Sequence, residues 1–565
     1  MAKATKTPRN LNHTVTFRRK RKFDKDWYLK EDRSGWTLPR VLKQQAQKLG
    51  DKPFLRFGGG PAVSFRRMNA LANRVANALM KRGIAKGDRV AVLMPNSDDY
   101  VAVWFGILKA GAVMVPVNTA YKAAFLQYIL DSSDSKILFI AEEYLDRMPP
   151  VSKQIPTVER LVVWMREGRS GRITPAKAGV GRGKTVETYP DFMKGARSAE
   201  PNVEVVFTDP ARLMYTSGTT GRSKGVVRPC AADYSSARNC AEIMDVGPED
   251  VYFTCLPLFH SNAMVMSVYP ALIKGAQAVV EEKYSASNFW KWINDYGVTR
   301  FNTVGTVSYF MWNTPPVPEE KTHKARLVLG SPAPHDIIEP FMKRFNIKFM
   351  EGYGLTETGQ CTWMRPGEPF RVGSCGKEAP GYEIKIADPQ SDEEVPRGEV
   401  GEIVVRPRIP NIMLHYYNKM PEKTVEDFRN FWFHTGDAGR MDKDGYIYFV
   451  DRVKDYIRRR GENISSFEVE KTVSSHPQVE ECAAVGVKAG AGKHAEDEVM
   501  IVVVPKKGTN PKPEQIIKFL GPLMPAFMIP RFIRFVKSLP KTGTQRVQKN
   551  KLREKGITKD TWRAS

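Results

Sequence analysis

A run of small hydroxyl residues, glycines and one lysine lies near the middle of the chain: Tyr215-Thr216-Ser217-Gly218-Thr219-Thr220-Gly221-Arg222-Ser223-Lys224-Gly225. Glycine lets a backbone approach a ligand closely, consecutive N–H groups bind anions, and the lysine adds a mobile positive charge. Apolar residues at 213–215 and 226–227 predict a strand on each side, which disfavours a solvated linker. The Walker loop of nucleoside triphosphatases opens a helix instead. The run therefore predicts a different phosphate site, a loop between two strands.

Four later segments carry side chains of the kinds that bind a nucleotide. In the glycine-rich turn 351–357, Tyr353 can stack on a base, Thr356 can contact phosphate and Glu357 can hold Mg²⁺. Asp437 lies in a loop and has the carboxylate needed to bind ribose hydroxyls. The remaining two segments are 451–455 and 460–465. Each is a weak signal alone, but together and in this order they predict a nucleotide site.

Composition limits the classes of function. The 565 residues are 42% apolar and 10% aromatic, which predicts two or more domains and excludes global disorder. The six cysteines and eight histidines have no metal-ligand spacing, so we expect free thiols, a reducing, cytoplasmic location and no structural zinc. The net charge is 87 − 62 = +25, yet no RNA-binding or zinc-finger motif accompanies it, so we expect no nucleic-acid partner.

The pattern along the chain predicts three regions. Residues 1–35 read as a loosely held basic tail, and the alternation of helix and strand from 71 to 117 predicts a parallel sheet covered by helices. Residues 166–184 read as an exposed loop, and their resemblance to a Walker loop is taken as coincidence because no helix follows. After residue 453, a capping box at 465–468 and strands near 479–487, 499–505 and 532–536 predict a small α+β unit.

The segments described above resemble the adenylate-forming superfamily, which includes acyl- and aryl-CoA synthetases, over about residues 37–555. The stretches 256–260 and 458–470 are most similar to the carnitine/crotonobetaine-CoA ligase-like branch. The resemblance implies an α/β fold with a large N-terminal domain (36–453) whose parallel-rich sheets are covered by helices, and a small mobile C-terminal α+β domain (454–565). It also implies a ligase that uses ATP, Mg²⁺ and CoA to convert a carboxylic acid to acyl-CoA, AMP and pyrophosphate through an acyl-adenylate.

The resemblance further implies roles for individual residues. Catalysis falls to Thr216, Glu357 (also the Mg²⁺ ligand), Lys454 at the hinge, and Arg546. His260, Val304 and Gly305 form the acyl pocket. The residues that contact the nucleotide or CoA are Thr216, Ser217, Gly218, Thr219, Thr220, Gly221, Lys224, Gly330, Ser331, Pro332, Tyr353, Gly354, Thr356, Asp437, Arg452 and Gly461.

One position departs from the family pattern. Family members usually carry Pro-x-x-x-x-Gly-Lys near the C-terminus, and counting from Pro540 places Gln545 and Arg546 at the glycine and the lysine. Arginine keeps the charge but is longer and planar. Either Arg546 replaces the lysine, or Lys541 or Lys549 does, or adenylation is crippled while thiolysis survives. We predict that Arg546 fills the role with some loss of rate.

Two other functions stay open: an adenylating enzyme that loads a carrier protein, and a non-catalytic protein that binds an acyl group or an adenylate. The resemblance does not identify the acid. No window of the sequence offers eighteen uncharged apolar residues, so membrane contact is expected to be peripheral at most. A homodimer is possible.

Overall fold

The computed structural model describes residues 10–14, 23–166, 168, 171, 173–181, 183–216, 223–452, 457–459, 462–464, 466–488, 497–524, 526–542 and 546–564. The strands are β1 Asn10–Thr14, β2 Pro53–Phe57, β3 Val63–Ser64, β4 Arg89–Leu93, β5 Val113–Pro116, β6 Ser135–Ala141, β7 Arg160–Trp164, β8 Thr185–Thr188, β9 Pro210–Tyr215, β10 Gly225–Pro229, β11 Val251–Thr254, β12 Gln277–Val280, β13 Arg300–Thr303, β14 Leu327–Gly330, β15 Lys348–Glu351, β16 Gly354–Leu355, β17 Gly359–Gln360, β18 Thr362–Trp363, β19 Pro369–Arg371, β20 Lys377–Glu378, β21 Tyr382–Ala387, β22 Val400–Pro407, β23 Tyr416–Tyr417, β24 Phe433–Met441, β25 Ile447–Arg452, β26 Ile457–Arg459, β27 Glu462–Ile464, β28 Val479–Lys488, β29 Asp497–Pro505, β30 Phe532–Phe535 and β31 Trp562–Arg563.

The helices are α1 Trp27–Lys30, α2 Leu38–Leu49, α3 Phe65–Lys81, α4 Asp98–Lys109, α5 Ala123–Ser132, α6 Tyr189–Met193, α7 Cys230–Ile243, α8 Ser261–Ala263, α9 Tyr269–Lys274, α10 Phe289–Asp295, α11 Gly305–Asn313, α12 Ile338–Phe345, α13 Pro421–Asp427, α14 Ser466–Ser474, α15 Pro513–Leu520 and α16 Lys549–Lys555, with a π-helix, Met264–Val268, between α8 and α9. Within the described ranges, no helix combines the length and apolar character needed to span a bilayer.

Two large sheets form most of the molecule, and their strands are mainly parallel. One has the order β23-β10-β9-β5-β4-β6-β7-β8, and the other β15-β14-β13-β11-β12-β2-β3. In the first, β4 to β9 are parallel, while β10 and β23 are antiparallel additions. Apolar runs such as β5, buried along its whole length, are typical of strands covered on both faces. The expected α/β class with parallel-rich sheets is confirmed.

Local signals set the helix ends near the first of these sheets. Helix α3 begins after Ser64, whose Oγ accepts the Arg67 N–H at 3.1 Å, and Gly83 follows its last turn with a positive φ. Helix α4 begins after Ser97, whose Oγ accepts the Tyr100 N–H at 3.0 Å. Both serines are N-caps, and Gly83, with its positive φ, stops α3 at its C-terminal end.

The remaining strands build two smaller sheets. The first, β21-β22-β24-β25, is antiparallel and contains the residues expected to bind ribose, Asp437 in β24 and Arg452 in β25. The expectation that Asp437 lies in a loop is wrong, because its backbone pairs with Arg452 across the two strands. The second, β28-β29-β30-β31, packs against α14 and α15 around a separate apolar cluster that includes Val469, Ile501 and Ile516. The strands predicted after residue 453 are therefore confirmed as a small α+β unit, while Ser465 of the predicted capping box lies outside the described residues.

Two segments pack more closely than their composition suggests. In the predicted tail, β1 pairs with β19, and the buried Trp27 donates its Nε1–H to Asn239 Oδ1 at 2.8 Å. In the predicted exposed loop, Ala178 and Val180 are buried because they join the apolar cluster beside the first sheet. The expectation of an exposed loop is therefore wrong for these two residues. Strand β8, and not a helix, follows the segment, as expected if its resemblance to a Walker loop is a coincidence.

Candidate active site

The phosphate loop predicted from the sequence is closed by two antiparallel strands. Strands β9 and β10 pair with Tyr215 opposite Gly225, and the Thr216 N–H donates to the Lys224 carbonyl at 3.0 Å. The loop therefore begins at Thr216 and ends at Lys224, as a strand–loop–strand device requires. Ser217, Gly218, Thr219, Thr220 and Gly221 lie outside the described residues.

Lys224 meets the predicted metal ligand Glu357. The Lys224 Nζ lies 3.6 Å from Glu357 Oε1, 3.1 Å from Asp427 Oδ2 and 2.9 Å from the Tyr417 hydroxyl. Tyr417 donates its hydroxyl to Glu357 Oε1 at 3.0 Å. Strand β23 brings Tyr417 there by pairing with β10, opposite Val226. One cation, two carboxylates and a phenol thus converge at the base of the phosphate loop.

The protonation states of this cluster follow from its charges. Burial, together with the carboxylates of Glu357 and Asp427, raises the pKa of Tyr417 well above its usual range, so Tyr417 stays a donor. Burial opposes ionisation of Asp427, but hydrogen bonds and attraction from Lys423 and Lys224 outweigh it and lower the pKa of this carboxyl. Asp427 is therefore ionised at neutral pH and neutralises Lys224.

A buried arginine holds the backbone of the loop that carries Glu357. Arg228 is fully buried, and its Nη1 donates to the carbonyls of Thr356 at 3.1 Å and Glu357 at 2.9 Å. Asp233 balances this charge, because one of its oxygens lies 3.4 Å from Arg228 Nε and the other 2.8 Å from Arg212 Nε. The position of Thr356 and Glu357 therefore depends on hydrogen bonds donated by a charged side chain of β10.

The adenine side of the expected site lies where three parallel strands end. Thr303, Gly330 and Glu351 stand side by side at the carboxyl ends of β13, β14 and β15. Ser331, next in the chain, donates its hydroxyl to the Gly352 carbonyl at 2.7 Å. Ligands of open α/β sheets bind at this edge. Gly354 must be glycine, because a Cβ there would lie 1.9 Å from the carbonyl oxygen of Gly359.

Tyr353 and Asp437 contact each other directly. The Tyr353 hydroxyl donates to Asp437 Oδ2 at 2.7 Å, and both residues are buried. Burial and the nearby Asp437 charge raise the pKa of Tyr353 well above its usual range, so it remains a donor. Asp437 is also the direct strand partner of Arg452 in the β24–β25 pair. Three residues expected around the nucleoside are thus brought together from distant segments.

The residues expected to form the acyl pocket also converge. Val304 and Gly305 open α11 directly after β13. A Cβ added to Gly305 would lie 3.4 Å from Pro332 Cγ, and one added to Gly330 would lie 3.1 Å from Thr303 Cγ2. His260 opens α8, and two residues later the Asn262 Nδ2 lies 3.5 Å from the Thr303 carbonyl. The His260 segment therefore adjoins the Val304 segment.

A charge of the small domain affects the pKa of His260, one of the residues expected in the acyl pocket. His260 is exposed to solvent although many protein atoms lie around it. Burial and the positive charge of Arg546 lower the pKa of His260 to about 4, so the ring is neutral at pH 7. The charge of Arg546 thus reaches the expected acyl pocket, while Arg546 itself is exposed.

The two lysines that were alternatives to Arg546 have partners within the small domain. Lys541 pairs with Glu481 at 2.5 Å, and Lys549 pairs with Glu470 at 2.8 Å and donates to Ser466 Oγ at 2.6 Å. Lys454 and Gly461 lie outside the described residues, so their roles remain predictions.

Sequence reasoning missed four residues of this site: Tyr417, Asp427, Arg228 and Asp233. A tyrosine in a two-residue strand or an aspartate at a helix end carries no local signal. Buried Arg228 and Asp233 are five residues apart at a strand–helix junction. That pairing of opposite charges inside apolar sequence was the one available clue.

Comparison with protein families gives two matches. The model of the AMP-binding enzyme family matches residues 42–417, and that of the AMP-binding enzyme C-terminal domain matches residues 468–546. The resemblance proposed from the sequence is confirmed.

Individual relatives agree with these matches. The chain is 32% identical over 498 residues to the long-chain-fatty-acid–CoA ligase FadD13 of Mycobacterium tuberculosis, covering 87% of this chain and 93% of the relative. It is 30% identical over 532 residues to the crotonobetaine/carnitine–CoA ligase of Salmonella typhimurium, covering 92% and 99%. Among solved structures, ATP-bound MatB from Rhodopseudomonas palustris superposes with a TM-score of 0.78 at 28% identity, covering 92% of this chain and 98% of that chain.

Proposed function

The chain belongs to the AMP-binding enzyme family, and on that premise we propose that it is an AMP-forming acyl-CoA ligase that uses ATP, Mg²⁺ and CoA. The observation that carries the proposal is the convergence of Lys224 with Glu357 and of Tyr353 with Asp437. Tyr353 and Glu357 lie on one short turn, so this turn links Lys224, proposed to bind phosphate, with the Tyr353–Asp437 pair, proposed to bind the nucleoside.

In the proposed first step, a carboxylate oxygen of the acid attacks the α-phosphorus of ATP. A new P–O bond forms, the bond to pyrophosphate breaks, and an acyl-adenylate results. Lys224 and the loop from Thr216 would hold the phosphates, and Asp437 the ribose. Arg546, which stands where the family pattern has its lysine, would neutralise charge between the carboxylate and the α-phosphate.

Glu357 fits the proposed Mg²⁺ by its chemistry. It is a buried carboxylate next to Lys224, and the described residues contain no group of three or more acids, histidines or cysteines that would form a complete protein site. Mg²⁺ in nucleotide enzymes is commonly held by one or two carboxylates and the substrate phosphates. When bound, it would neutralise phosphate charge during displacement of pyrophosphate.

In the proposed second step, the CoA sulfur attacks the acyl carbonyl carbon, a C–S bond forms, the C–O bond to AMP breaks with its electrons leaving on AMP, and the thiol proton is released to solvent. The small domain would rotate about Lys454 and bring Gly461 to the pantetheine path. A rotating domain lets one pocket exclude water in two successive reactions.

The test is AMP release from a panel of carboxylic acids, with and without CoA. We expect AMP release that requires an acid and CoA together. A Lys224→Ala variant should lose most of this activity, while Lys136→Ala, which removes a surface partner of Asp88, should not.

Other outcomes contradict the proposal. Hydroxamate formation from acid, ATP and added hydroxylamine, without turnover of CoA, would indicate an enzyme that loads a carrier protein. No AMP release with any acid would indicate a non-catalytic binding protein.

A further inference from the structure

Two side chains on one face of β9 hold the segment that carries His260. Ser261, the first residue of α8, accepts a hydrogen bond from Arg212 Nη1 at 2.5 Å and donates its hydroxyl to Met214 Sδ at 3.3 Å. Arg212 and Met214 are two positions apart, so they lie on the same face of the strand. Because β9 ends where the phosphate loop begins, the strand that leads into this loop also supports the start of α8.

The charge of Arg212 is not needed to balance Asp233, because Arg228 already does so. All three residues are at most 2% exposed, and Asp233 is the only carboxylate that pairs with either arginine among the described residues. Burial and the neighbouring Arg212 charge lower the pKa of Arg228. Apolar side chains often fill such a space without loss of stability. Packing and neutralisation therefore do not explain the second arginine, which leaves its contact with Ser261 to account for it.

The same network reaches the turn that carries the expected Mg²⁺ ligand. Asp233 contacts Nε of both arginines, and Arg228 Nη1 donates to the Glu357 carbonyl at 2.9 Å. A chain of buried polar contacts therefore runs from Ser261 to the backbone of Glu357. Adenylation needs the acid carboxylate to lie close to the α-phosphorus, and a displacement of about 1 Å can cost about 10²-fold in rate. A buried connection between the two sides would limit such displacement.

We propose that Arg212 is a positioning residue for the acid: it holds Ser261, and with it the neighbouring His260, in place against β9. This inference rests on the proposed function. Through Asp233 the same side chain is tied to the turn of Glu357, so the expected acyl pocket and the expected metal ligand keep one fixed arrangement. Because Arg212 is 2% exposed, it acts through Ser261 rather than on the reacting atoms.

The test begins with straight-chain acids from butanoate to hexadecanoate and with benzoate, and the acid that gives the fastest CoA-dependent AMP release is used for the variants. Arg212→Met should fold, because Asp233 and Arg228 still balance each other. The KM for the acid should rise about tenfold, as for substitutions within a packed network, and the KM for ATP should not change, since Lys224 keeps its contacts. A merely destabilised enzyme has fewer active molecules, which lowers kcat and leaves both KM values unchanged.

Ser261→Ala removes the same hydrogen bond from the other side and decides the question even where Arg212→Met fails to fold. Alone, it should raise the KM for the acid by about three- to tenfold. In the Arg212→Met background it should add no further change, because both substitutions break one contact.

Two matched controls lie away from this network. Arg300→Met removes another arginine that is 1% exposed, at the amino end of β13, where it donates to the Met244 and Asp245 carbonyls. This is the edge of the sheet opposite to the expected site. Ser133→Ala removes a buried hydroxyl that donates to the Leu130 carbonyl at 3.2 Å. Both variants should keep the KM of the parent chain for the acid.

The failures are distinguishable. An unchanged KM for the acid in Ser261→Ala, additive effects of Ser261→Ala and Arg212→Met, or an equal rise in Arg300→Met overturns the role of Arg212 alone. No AMP release by the parent chain with any acid overturns the proposed function and this inference with it.

Discussion

Around the phosphate loop, Lys224 and Glu357 are held by ionic and phenolic contacts, whereas two residues after His260 the neutral amide of Asn262 bonds to that of Asn302. We call the region around Lys224 and Glu357 the nucleotide half of the proposed site and the region around His260 the acid half. The nucleotide half would bind ATP whichever acid is used, so positive charge there would stabilise phosphate in every reaction. The acid half must discriminate, and a hydrogen-bonding group discriminates more sharply than a hydrophobic surface. Changes in the nucleotide half should therefore affect all acids equally, and changes in the acid half should alter their ranking.

Substitution of Arg546 should have the largest effect on the rate of adenylation. It tests whether a change in the nucleotide half lowers that rate by the same factor for every acid. Arg546→Ala removes a cation facing the developing charge, so pyrophosphate–ATP exchange should fall by about 10²–10³-fold with every acid. Arg546→Lys should retain part of the rate because it keeps the charge.

Lys541→Ala is the control for this prediction, because Lys541 pairs with Glu481 within the small domain. Undiminished exchange in Arg546→Ala, or an equal loss in Lys541→Ala, would remove Arg546 from the mechanism. Thiolysis of a supplied acyl-adenylate should survive in Arg546→Ala, since that step does not involve the α-phosphate displacement.

Tyr353→Phe should have the next largest effect. It removes the donor 2.7 Å from Asp437 Oδ2, and weakening a buried carboxylate's hydrogen bonds costs about 1–3 kcal/mol. The KM for ATP should rise about tenfold with kcat little changed, equally for all acids. Steady-state kinetics with ATP varied against two acids provide the measurement.

A matched control for this change is Tyr446→Phe, which removes a similar phenol–carboxylate bond of 2.9 Å to Glu368. Its KM for ATP should stay at the parent value. A Tyr353→Phe enzyme that changes the ranking of acids would contradict the division into two halves.

The sequence predicts the nucleotide half better than the acid half for a physical reason. The phosphate loop and the turn carrying Tyr353 and Glu357 are short local patterns, since glycines and hydroxyls must be adjacent in sequence to form an anion nest. The flanking strands, the parallel-rich sheets and the small α+β unit follow from apolar periodicity, and all of these were predicted.

The contacts between distant segments were not predicted. Tyr417 and Asp427 reach Lys224 across 193 and 203 residues, and this depends on β23 pairing with β10. Asn262 and Asn302 meet only because β13 and α8 end at the same place, 40 residues apart in the chain. Single polar residues inside apolar segments carry no signal until the topology is known.

Asp427→Asn should lower the KM for ATP, the opposite of the change expected for Tyr353→Phe. Asp427 neutralises Lys224 at 3.1 Å and competes with the triphosphate for it, while Lys423 stays 2.7 Å from the other Asp427 oxygen. Partly exposed ion pairs contribute roughly 0.2–1 kcal/mol, so the KM for ATP should fall by about two- to fivefold. Asp134→Asn, which breaks an exposed pair with Lys419, should not change it. A raised KM for ATP in Asp427→Asn would show that Asp427 orients Lys224 rather than restrains it.

Two histidines, one in each half, give the smallest and most diagnostic effect. His260 has its pKa lowered to about 4 by burial and Arg546, so between pH 4 and its ordinary 6.5 the unfolded chain binds the extra proton and stability falls as pH falls. For His335, burial opposes protonation, but Glu351 at 2.8 Å outweighs it and raises the pKa above 6.5, so stability from this pair is lost as pH rises through that higher value. His260→Gln should therefore reduce the loss of Tm between pH 6.5 and 4.5, and His335→Gln should lower Tm more at pH 5.5 than at pH 8. Identical Tm–pH profiles for the two variants would show that the halves do not differ in charge environment as their geometry indicates.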